Sequence, residues 1–176
     1  KVIHRDWDYL QYFINEARRL GLKVTVSTAM FPSGHPATNE GLVYEESRWD
    51  GKTCLEYTPD GKMLDIREDK KKVGAFLNPV RKDVRKFALS IVREIVKNYD
   101  VDAYALDYCR YPGDDSDFSA DSHKAFEHYL GKKVRNFPDN IFTWNADGTK
   151  NPGVYYKEWW AFRANVITSF VKEVRK

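Results

Sequence analysis

The sequence lacks any apolar run long enough to cross a membrane, and it has no large excess of charge of either sign. No stretch of about 18 apolar residues occurs in the 176-residue chain, so no transmembrane helix is predicted. The formal net charge is +3 and 31% of the residues are charged. Such a modest imbalance does not predict a nucleic-acid-binding protein.

Cysteine is scarce, and one common catalytic motif is missing. Cys54 and Cys109 are the two cysteines, and they either pair with each other or remain free thiols. Both alternatives stay open, so the cysteines do not indicate a redox compartment. No G-x-S-x-G motif occurs, which argues against an esterase of the α/β-hydrolase type.

The acidic and histidine residues do not form a recognisable metal motif. In GDDSDFSAD, residues 113–121, Asp and Ser alternate as at the start of a calcium loop, but Ala120 and Phe126 stand where such a loop needs Gly and Glu. The four histidines, His4 among them, show no zinc-type spacing. The sequence therefore predicts no metal and no other cofactor.

Helical and β-type patterns alternate along the chain. Apolar residues recur at helical spacing in three segments, around residues 10–20, 84–99 and 160–174. Short β-prone runs follow or precede them at residues 23–31, 75–79 and 101–108. This alternation predicts an α/β fold with a parallel sheet.

The run at residues 101–108 ends in chemically distinctive residues. Because side chains alternate along a strand, Ala103, Ala105 and Asp107 share one face. Small residues on the face of a carboxylate fit a crowded barrel interior that opens at the end of the strand. Asp107 is therefore the best candidate for a catalytic carboxylate.

Two long connections interrupt the regular pattern. Residues 32–74 form a lid-like insertion, in which TCLEYTPDGKMLDIR has the turn residues of a β-hairpin. The mixed charge run at residues 67–72 predicts a solvated loop. A second irregular region, residues 112–155, contains a predicted short helix from Ser119 or Asp121 to Leu130 and is otherwise loop. Both insertions follow strands, which in an α/β barrel places them on the face that carries active sites.

Length bears on the architecture, because a complete eight-stranded α/β barrel typically needs about 250 residues. The chain opens on Lys1 rather than Met and stops within a predicted helix. We therefore expect residues 1–176 to form one partial barrel domain. Such a domain would need the remainder of the barrel to function. A small complete open-sheet domain is the alternative.

The sequence resembles the glycosyl-hydrolase-like 10 family of bacterial (β/α)8 TIM barrels. Four stretches carry the resemblance in the correct order: YFINEARRLGLKVTVSTAMF, FLNPVRKDVRKFALSIVREIV, YDVDAYALDYCRYP and WWAFRANVITSFVKEV. The chain differs from the family pattern at Ala103, where Gly is common, at Thr25, where His is frequent, and at Tyr108, where a second Asp is frequent.

This resemblance implies a glycoside hydrolase that cleaves a polysaccharide or a cell-wall-type glycan, with Asp107 as the nucleophile. Such enzymes need two carboxyl groups, about 5 to 5.5 Å apart for retention or roughly 6.5 to 9.5 Å apart for inversion. The second group is expected on a later strand, beyond Lys176. Glu40, Glu45, Glu46 and Glu56 are alternative acids in the long loop, but loop glutamates are usually solvated.

Several residues are candidates for substrate contacts. Asn78 is expected either to hydrogen-bond a sugar or to cap a helix, and Arg110 either to keep Asp107 ionised or to lie on the surface. Tyr108 and Tyr111 either contact sugar or pack in the fold, and Arg163 faces the site or forms a salt bridge between helices. Four residues are rim candidates: His35, Tyr44, Trp49 and Tyr57.

A noncatalytic carbohydrate-binding or scaffold barrel remains the alternative function. A Glu or Asp at the end of the next strand would discriminate between the two functions: its presence favours the enzyme, and its absence favours the binding barrel. Export is common in the family, so the resemblance also implies an extracytoplasmic protein. The glycan and its linkage stay open.

Overall fold

The computed structural model describes residues 6–176, so His4 lies outside the described residues. The helices are α1 (Tyr9–Arg19), α2 (Leu42–Glu45), α3 (Lys82–Asn98), α4 (Ala120–Leu130) and α5 (Tyr156–Val174), with a 3₁₀ turn at Ser47–Trp49. The strands are β1 (Thr25–Ala29), β2 (Leu55–Tyr57), β3 (Met63–Asp65), β4 (Ala103–Asp107), β5 (Phe142–Trp144) and β6 (Lys150–Pro152).

Strands β1 and β4 form the parallel sheet of the molecule. The two strands are in register from Thr25 opposite Ala103 to Ala29 opposite Asp107. Helix α3 connects them, as parallel strands require a crossover. The prediction of a mixed α/β fold with parallel strands is confirmed, although both strands are shorter than predicted.

The run AFLNP is not a strand of this parallel sheet, so that prediction was wrong. Phe76 and Leu77 form isolated antiparallel bridges with Pro32 and Thr53 respectively. The chain leaving β1 turns back along this run, and Leu77 N donates to the Phe31 carbonyl at 2.9 Å. The run thereby ties the end of β1 to the long insertion and is buried throughout.

Side-chain caps mark the starts of two helices. Asp8 caps α1 by accepting from the amide of Gln11 at 3.0 Å, and Gly21 follows the helix with φ +71°. Ser119 caps α4 by accepting from the amide of Ser122. The predicted boundaries of α4 are therefore confirmed.

The apolar face of α1 is narrower than its sequence pattern predicts. Ile14 and Ala17 are buried against Val24, whereas Phe13 and Leu20 are 63% and 62% exposed. The helix therefore presents a second apolar stripe to solvent. Helix α3 shows the same limit, because Val96 near its end is also exposed.

Two hairpins extend from this framework. The predicted hairpin is confirmed: β2 and β3 pair antiparallel across a turn in which Gly61 has φ +78°. A second hairpin, β5 with β6, lies where only loop was predicted. Its turn contains Asn145 and Gly148, which are typical hairpin-turn residues and could have indicated it.

The insertion at residues 32–74 is part of the main core. Val43, Trp49, Cys54 and Ile66 are buried in one cluster with residues of α3 and with Phe170 of α5. A second, aromatic-rich cluster joins α4, α5 and the β5–β6 hairpin. The insertion is therefore fixed to the core by these residues.

One face of the parallel pair is open to solvent. Thr25, Ser27 and Ala29 on β1, with Ala103 and Asp107 on β4, are exposed, while the intervening residues are half-buried. No helix within residues 6–176 has the length and hydropathy to cross a membrane.

Candidate functional site

Asp107 is the last residue of β4 and lies at the carboxyl end of the parallel pair. Its side chain is exposed on the open face of the sheet. Its main-chain carbonyl accepts from Met30 N at 2.9 Å, which fixes the strand end against β1. One carboxylate oxygen accepts from the amide of Tyr108 at 2.9 Å, so the carboxylate is held by the backbone and remains accessible.

Tyr108 has a left-handed backbone, with φ +45°. An aromatic residue rarely adopts this conformation, because its Cβ crowds the backbone there. The turn places the Tyr108 ring edge-on to Phe76, with ring centroids 5.9 Å apart. Strain of this kind is often found at functional sites, and here it immediately follows the exposed carboxylate.

Arg110 does not bind Asp107 among the described residues. Its guanidinium lies 5.0 Å from the Tyr108 ring centroid and donates to the carbonyls of Tyr111 and Pro112. Arg110 is exposed, as the alternative of a surface arginine expected, and its donors are directed at the backbone of the loop that follows β4. Arg110 instead braces this loop and Tyr108.

Arg163 is buried although it is charged. The side chain is 5% exposed, and its Cζ lies 4.5 Å from the ring centroids of both Tyr111 and Trp160. Nη2 donates to the Gly113 carbonyl. Nε and Nη1 find no acceptor among residues 6–176, and neither does the buried hydroxyl of Tyr111. Burial lowers the pKa of Arg163 and raises that of Tyr111.

A cavity of about 590 Å³ adjoins Arg163, between the loop after β4 and helix α5. Its size is within the range of small-molecule sites. The structure therefore brings Arg110, Tyr111 and Arg163 together at one cavity. The residues that line it are Cys109, Arg110, Tyr111, Gly113, Asp114, Trp160, Arg163, Ala164, Ile167 and Thr168.

Asn78 belongs to a different, largely buried cluster. Its Nδ2 donates to Asp117, Ser119 and Ser122, and its Oδ1 accepts from the amide of Val80. Both polar ends of the amide are engaged within the fold. Asn78 is not the cap of α3, because the N-cap is Arg81, and it instead holds the turn that leads into this helix. Its predicted sugar contact is therefore not supported by this geometry.

Asp117 is the centre of that cluster. Its carboxylate accepts from the hydroxyls of Ser119 and Ser122, both at 2.6 Å, and from the amide of Leu55 at 2.6 Å. Burial raises the pKa of Asp117, and the serine and backbone hydrogen bonds oppose this shift. Asp117, which lies in the alternating acidic run, therefore accepts hydrogen bonds inside the fold and links the β2–β3 hairpin to α4.

Glu56, one of the four alternative acids of the insertion, is buried rather than solvated as loop glutamates usually are. It pairs with Lys72, whose Nζ also lies 3.2 Å from Asp115. Burial raises the pKa of Glu56 from 4.5 to about 7, against the opposing effect of Lys72. The charge run at residues 67–72 is thus not simply solvated, because Lys72 and Arg67 form ion pairs within the fold.

Most rim candidates are not at a rim. Trp49 and Tyr57 are buried, and the Tyr57 hydroxyl donates to Asp139. Tyr44 donates to the Arg67 carbonyl, and His35 remains exposed. Their positions in the insertion predicted exposure because the insertion was expected to be a lid. It packs as core instead.

Both cysteines are free thiols. Cys54 is buried and Cys109 is half-buried beside the cavity. Burial raises the pKa of both. The alternative of two free thiols is the one that the structure supports.

Comparison with known proteins identifies the family of this chain. The family model described as glycosyl hydrolase-like 10 matches residues 2–176. The chain belongs to the glycosyl hydrolase-like 10 family. The exposed carboxylate of Asp107 and the cavity beside Arg163 are therefore features of a glycosyl hydrolase-like domain.

An S-layer-related protein of Niallia circulans is 38% identical over 176 residues. The match covers 97% of this chain and 11% of that protein. The chain thus spans about a tenth of the length of the curated relative that it matches.

Proposed function

We propose that this glycosyl hydrolase-like 10 chain forms part of a glycosidase barrel, in which β1 and β4 are neighbouring strands. Parallel sheets normally have both faces covered, whereas the face of Thr25, Ser27 and Asp107 is open. The small residues of this face suit the interior of a (β/α)8 barrel. Further βα units would then complete the barrel.

The position of Asp107 carries the proposal. Catalytic residues of such barrels lie at the carboxyl ends of strands, and Asp107 is the exposed last residue of β4. The left-handed Tyr108 that follows it adds a second, independent feature of a functional site.

Asp107 acts as the nucleophile in this proposal. Its carboxylate attacks the anomeric carbon while the bond to the leaving oxygen breaks, and a protonated carboxyl group gives its proton to that oxygen. Water then attacks the glycosyl ester, releases the sugar and restores the Asp107 carboxylate, while the second carboxyl group takes up the proton of the water. The family resemblance assigns the second group to a later strand.

A noncatalytic carbohydrate-binding barrel is the second candidate. Within residues 6–176, the hydrogen-bond partner of the Asp107 side chain is the backbone amide of Tyr108, and no second carboxyl group shares this partner. Glu56 is buried and pairs with Lys72. A domain that kept the cavity without a proton donor would bind glycans without cleaving them.

We further propose that the protein works outside the cytoplasm, at the cell surface. The support is the relative from Niallia circulans, which is described as S-layer-related. A polysaccharide or cell-wall-type glycan would be the partner at that location.

The test is hydrolysis of a glycan panel by the full-length protein and by its Asp107→Ala and Asp107→Asn variants. We expect both variants to lose at least about 100-fold in turnover, since the nucleophile is removed. Asp100→Asn is the matched control, because Asp100 is an exposed carboxylate that precedes the first residue of the same strand by three positions. Turnover that survives in both folded Asp107 variants overturns the assignment, and binding without turnover by the wild type favours the noncatalytic barrel.

A further inference from the structure

We propose that the cavity beside Arg163 binds the carboxylate of an acidic sugar, so that the glycan contains uronic-acid-type units. This inference rests on the proposed function and adds the chemical class of its substrate. It assigns to Arg163 the role of a specificity-determining residue.

The first argument is the unmet hydrogen bonding of Arg163. A guanidinium has five N–H donors, yet among the described residues only Nη2 has an acceptor, the Gly113 carbonyl. Leaving a buried charged donor without an acceptor costs more free energy than leaving a neutral one. The neighbouring Tyr111 hydroxyl is also buried without a partner. A carboxylate that reached Arg163 from the cavity would supply the acceptors that the described residues do not.

The second argument is the charge of the cavity wall. Arg110 and Arg163 contribute two positive charges, and Asp114 is the acidic residue among the lining residues. The Asp114 carboxylate is turned to Lys150, whose Nζ lies 2.6 Å from it. The wall is therefore cationic, and it favours an anion over a neutral hydroxyl group.

The third argument is the shape of the donor group. Tyr111 and Trp160 both stack on the guanidinium of Arg163. Stacking leaves the N–H edges of the planar group for hydrogen bonds, and these edges match the planar geometry of a carboxylate. The aromatic rings supply apolar surface beside the charge, as a sugar ring with one acidic substituent requires.

The fourth argument is proximity to the proposed nucleophile. Tyr111 follows Asp107 by four residues, so their Cα atoms are at most about 14 Å apart even if the chain is extended. The cavity is therefore close enough to hold a sugar of a chain whose scissile bond lies at Asp107.

The test compares tetragalacturonate with its full methyl ester, which has the same backbone without the negative charges. Titration calorimetry would measure both dissociation constants at neutral pH for the full-length protein. We expect the acid to bind about 10-fold or more tightly than the ester, since a hydrogen bond to a charged group is worth about 1.5 to 3 kcal/mol. This comparison needs no variant and so does not depend on the folding of one.

Variants of Arg163 test whether this residue causes the preference for the acid. Arg163→Gln should bring binding of the acid to the level of the ester, and Arg163→Lys should keep part of the preference because it keeps the charge. Arg48→Gln is the matched control: Arg48 also stacks on an aromatic ring, that of Trp49, but it pairs with Glu46 outside the cavity. It should leave the preference unchanged.

The outcomes separate the two proposals. Equal binding of acid and ester by the wild type, with glycan binding or turnover intact, overturns the acidic-sugar inference and leaves the proposed function standing. A preference for the acid that persists in Arg163→Gln also overturns it. Failure to bind or cleave any glycan, neutral or acidic, overturns the proposed function itself and the inference with it.

Discussion

Two buried polar groups in this molecule have opposite surroundings. The Asp117 carboxylate is 0% exposed and accepts hydrogen bonds from both serines of its cluster and from two backbone amides. The Arg163 guanidinium is 5% exposed and has one acceptor among the described residues. The fold supplies the hydrogen-bond partners of the Asp117 carboxylate, but it does not supply all those of the Arg163 guanidinium.

This difference in hydrogen bonding separates a group with a structural role from a group with a proposed role in binding. A buried charge whose partners all come from its own chain stabilises the connection between those partners, here β2, α3 and α4. A buried charge that lacks partners lowers stability unless a ligand or another chain segment supplies them. The comparison therefore assigns Asp117 to the fold, and it agrees with the proposed role of Arg163 in recognition.

The largest effect is expected at Asp117. Asp117→Ala should lower the free energy of unfolding by about 3 kcal/mol or more, because it leaves Asn78, Ser119 and Ser122 buried without their common acceptor. Urea unfolding followed by circular dichroism measures this loss.

Asp114→Ala is the control for that loss. Asp114 is largely exposed and pairs with Lys150, so its removal should cost less than about 1 kcal/mol. Equal losses in the two variants would mean that the Asp117 cluster does not hold the fold together.

Glu56 is an intermediate case, since it is buried with Lys72 as its ion-pair partner. Its folded pKa, about 7, lies above its ordinary value of 4.5, so the folded state retains a proton that the unfolded state loses. The stability that Glu56 contributes is therefore fully present below about pH 4.5 and is lost as the pH rises through about 7.

Glu56→Gln should remove this part of the pH dependence. Unfolding free energies of wild type and variant, measured at intervals from about pH 4 to pH 8, give the difference directly. A wild type that gains stability relative to Glu56→Gln as the pH rises over this window would contradict the raised pKa.

Arg163→Met should change stability by less than about 1 kcal/mol, or raise it, because a buried charge with few partners is replaced by an apolar side chain of similar length. The same variant should lose its preference for the acidic glycan. Thermal unfolding and calorimetric titration measure the two effects. A loss of stability as large as that of Asp117→Ala would remove the contrast between the two groups.

The smallest effect is expected at Tyr111. Tyr111→Phe removes a buried hydroxyl that has no partner among residues 6–176, so the free energy of unfolding should change by less than about 0.5 kcal/mol or rise slightly. Urea unfolding tests this. A loss above about 1 kcal/mol would indicate that the hydroxyl is satisfied within the fold.

Periodicity and capping predicted much of the fold. The spacing of Val84, Ala88 and Val92 located α3, Ser119 located the start of α4, and the Pro–Asp–Gly turn located the first hairpin. These features depend on local chemistry, which the sequence contains. The second hairpin was not predicted, although Gly148 in its turn is a typical hairpin-turn residue.

Long-range pairing could not be predicted in the same way. The pattern of AFLNP fits a parallel strand as well as the antiparallel bridges that it forms, because the choice depends on the insertion that packs beside it. The sequence placed Asp107 at a strand end, but it could not show that Asn78 is bound by Asp117 or that Arg163 lacks acceptors. Those facts depend on which segments meet.

The most direct test of the account is covalent trapping of the proposed nucleophile. Once hydrolysis identifies a cleaved glycan, the full-length protein is treated with the corresponding 2-fluoro glycosyl fluoride and its peptides are mapped by mass spectrometry. A glycosyl ester is expected on Asp107 and should be absent from the Asp107→Asn variant. A label on a different carboxylate, with Asp107 unmodified, would contradict it.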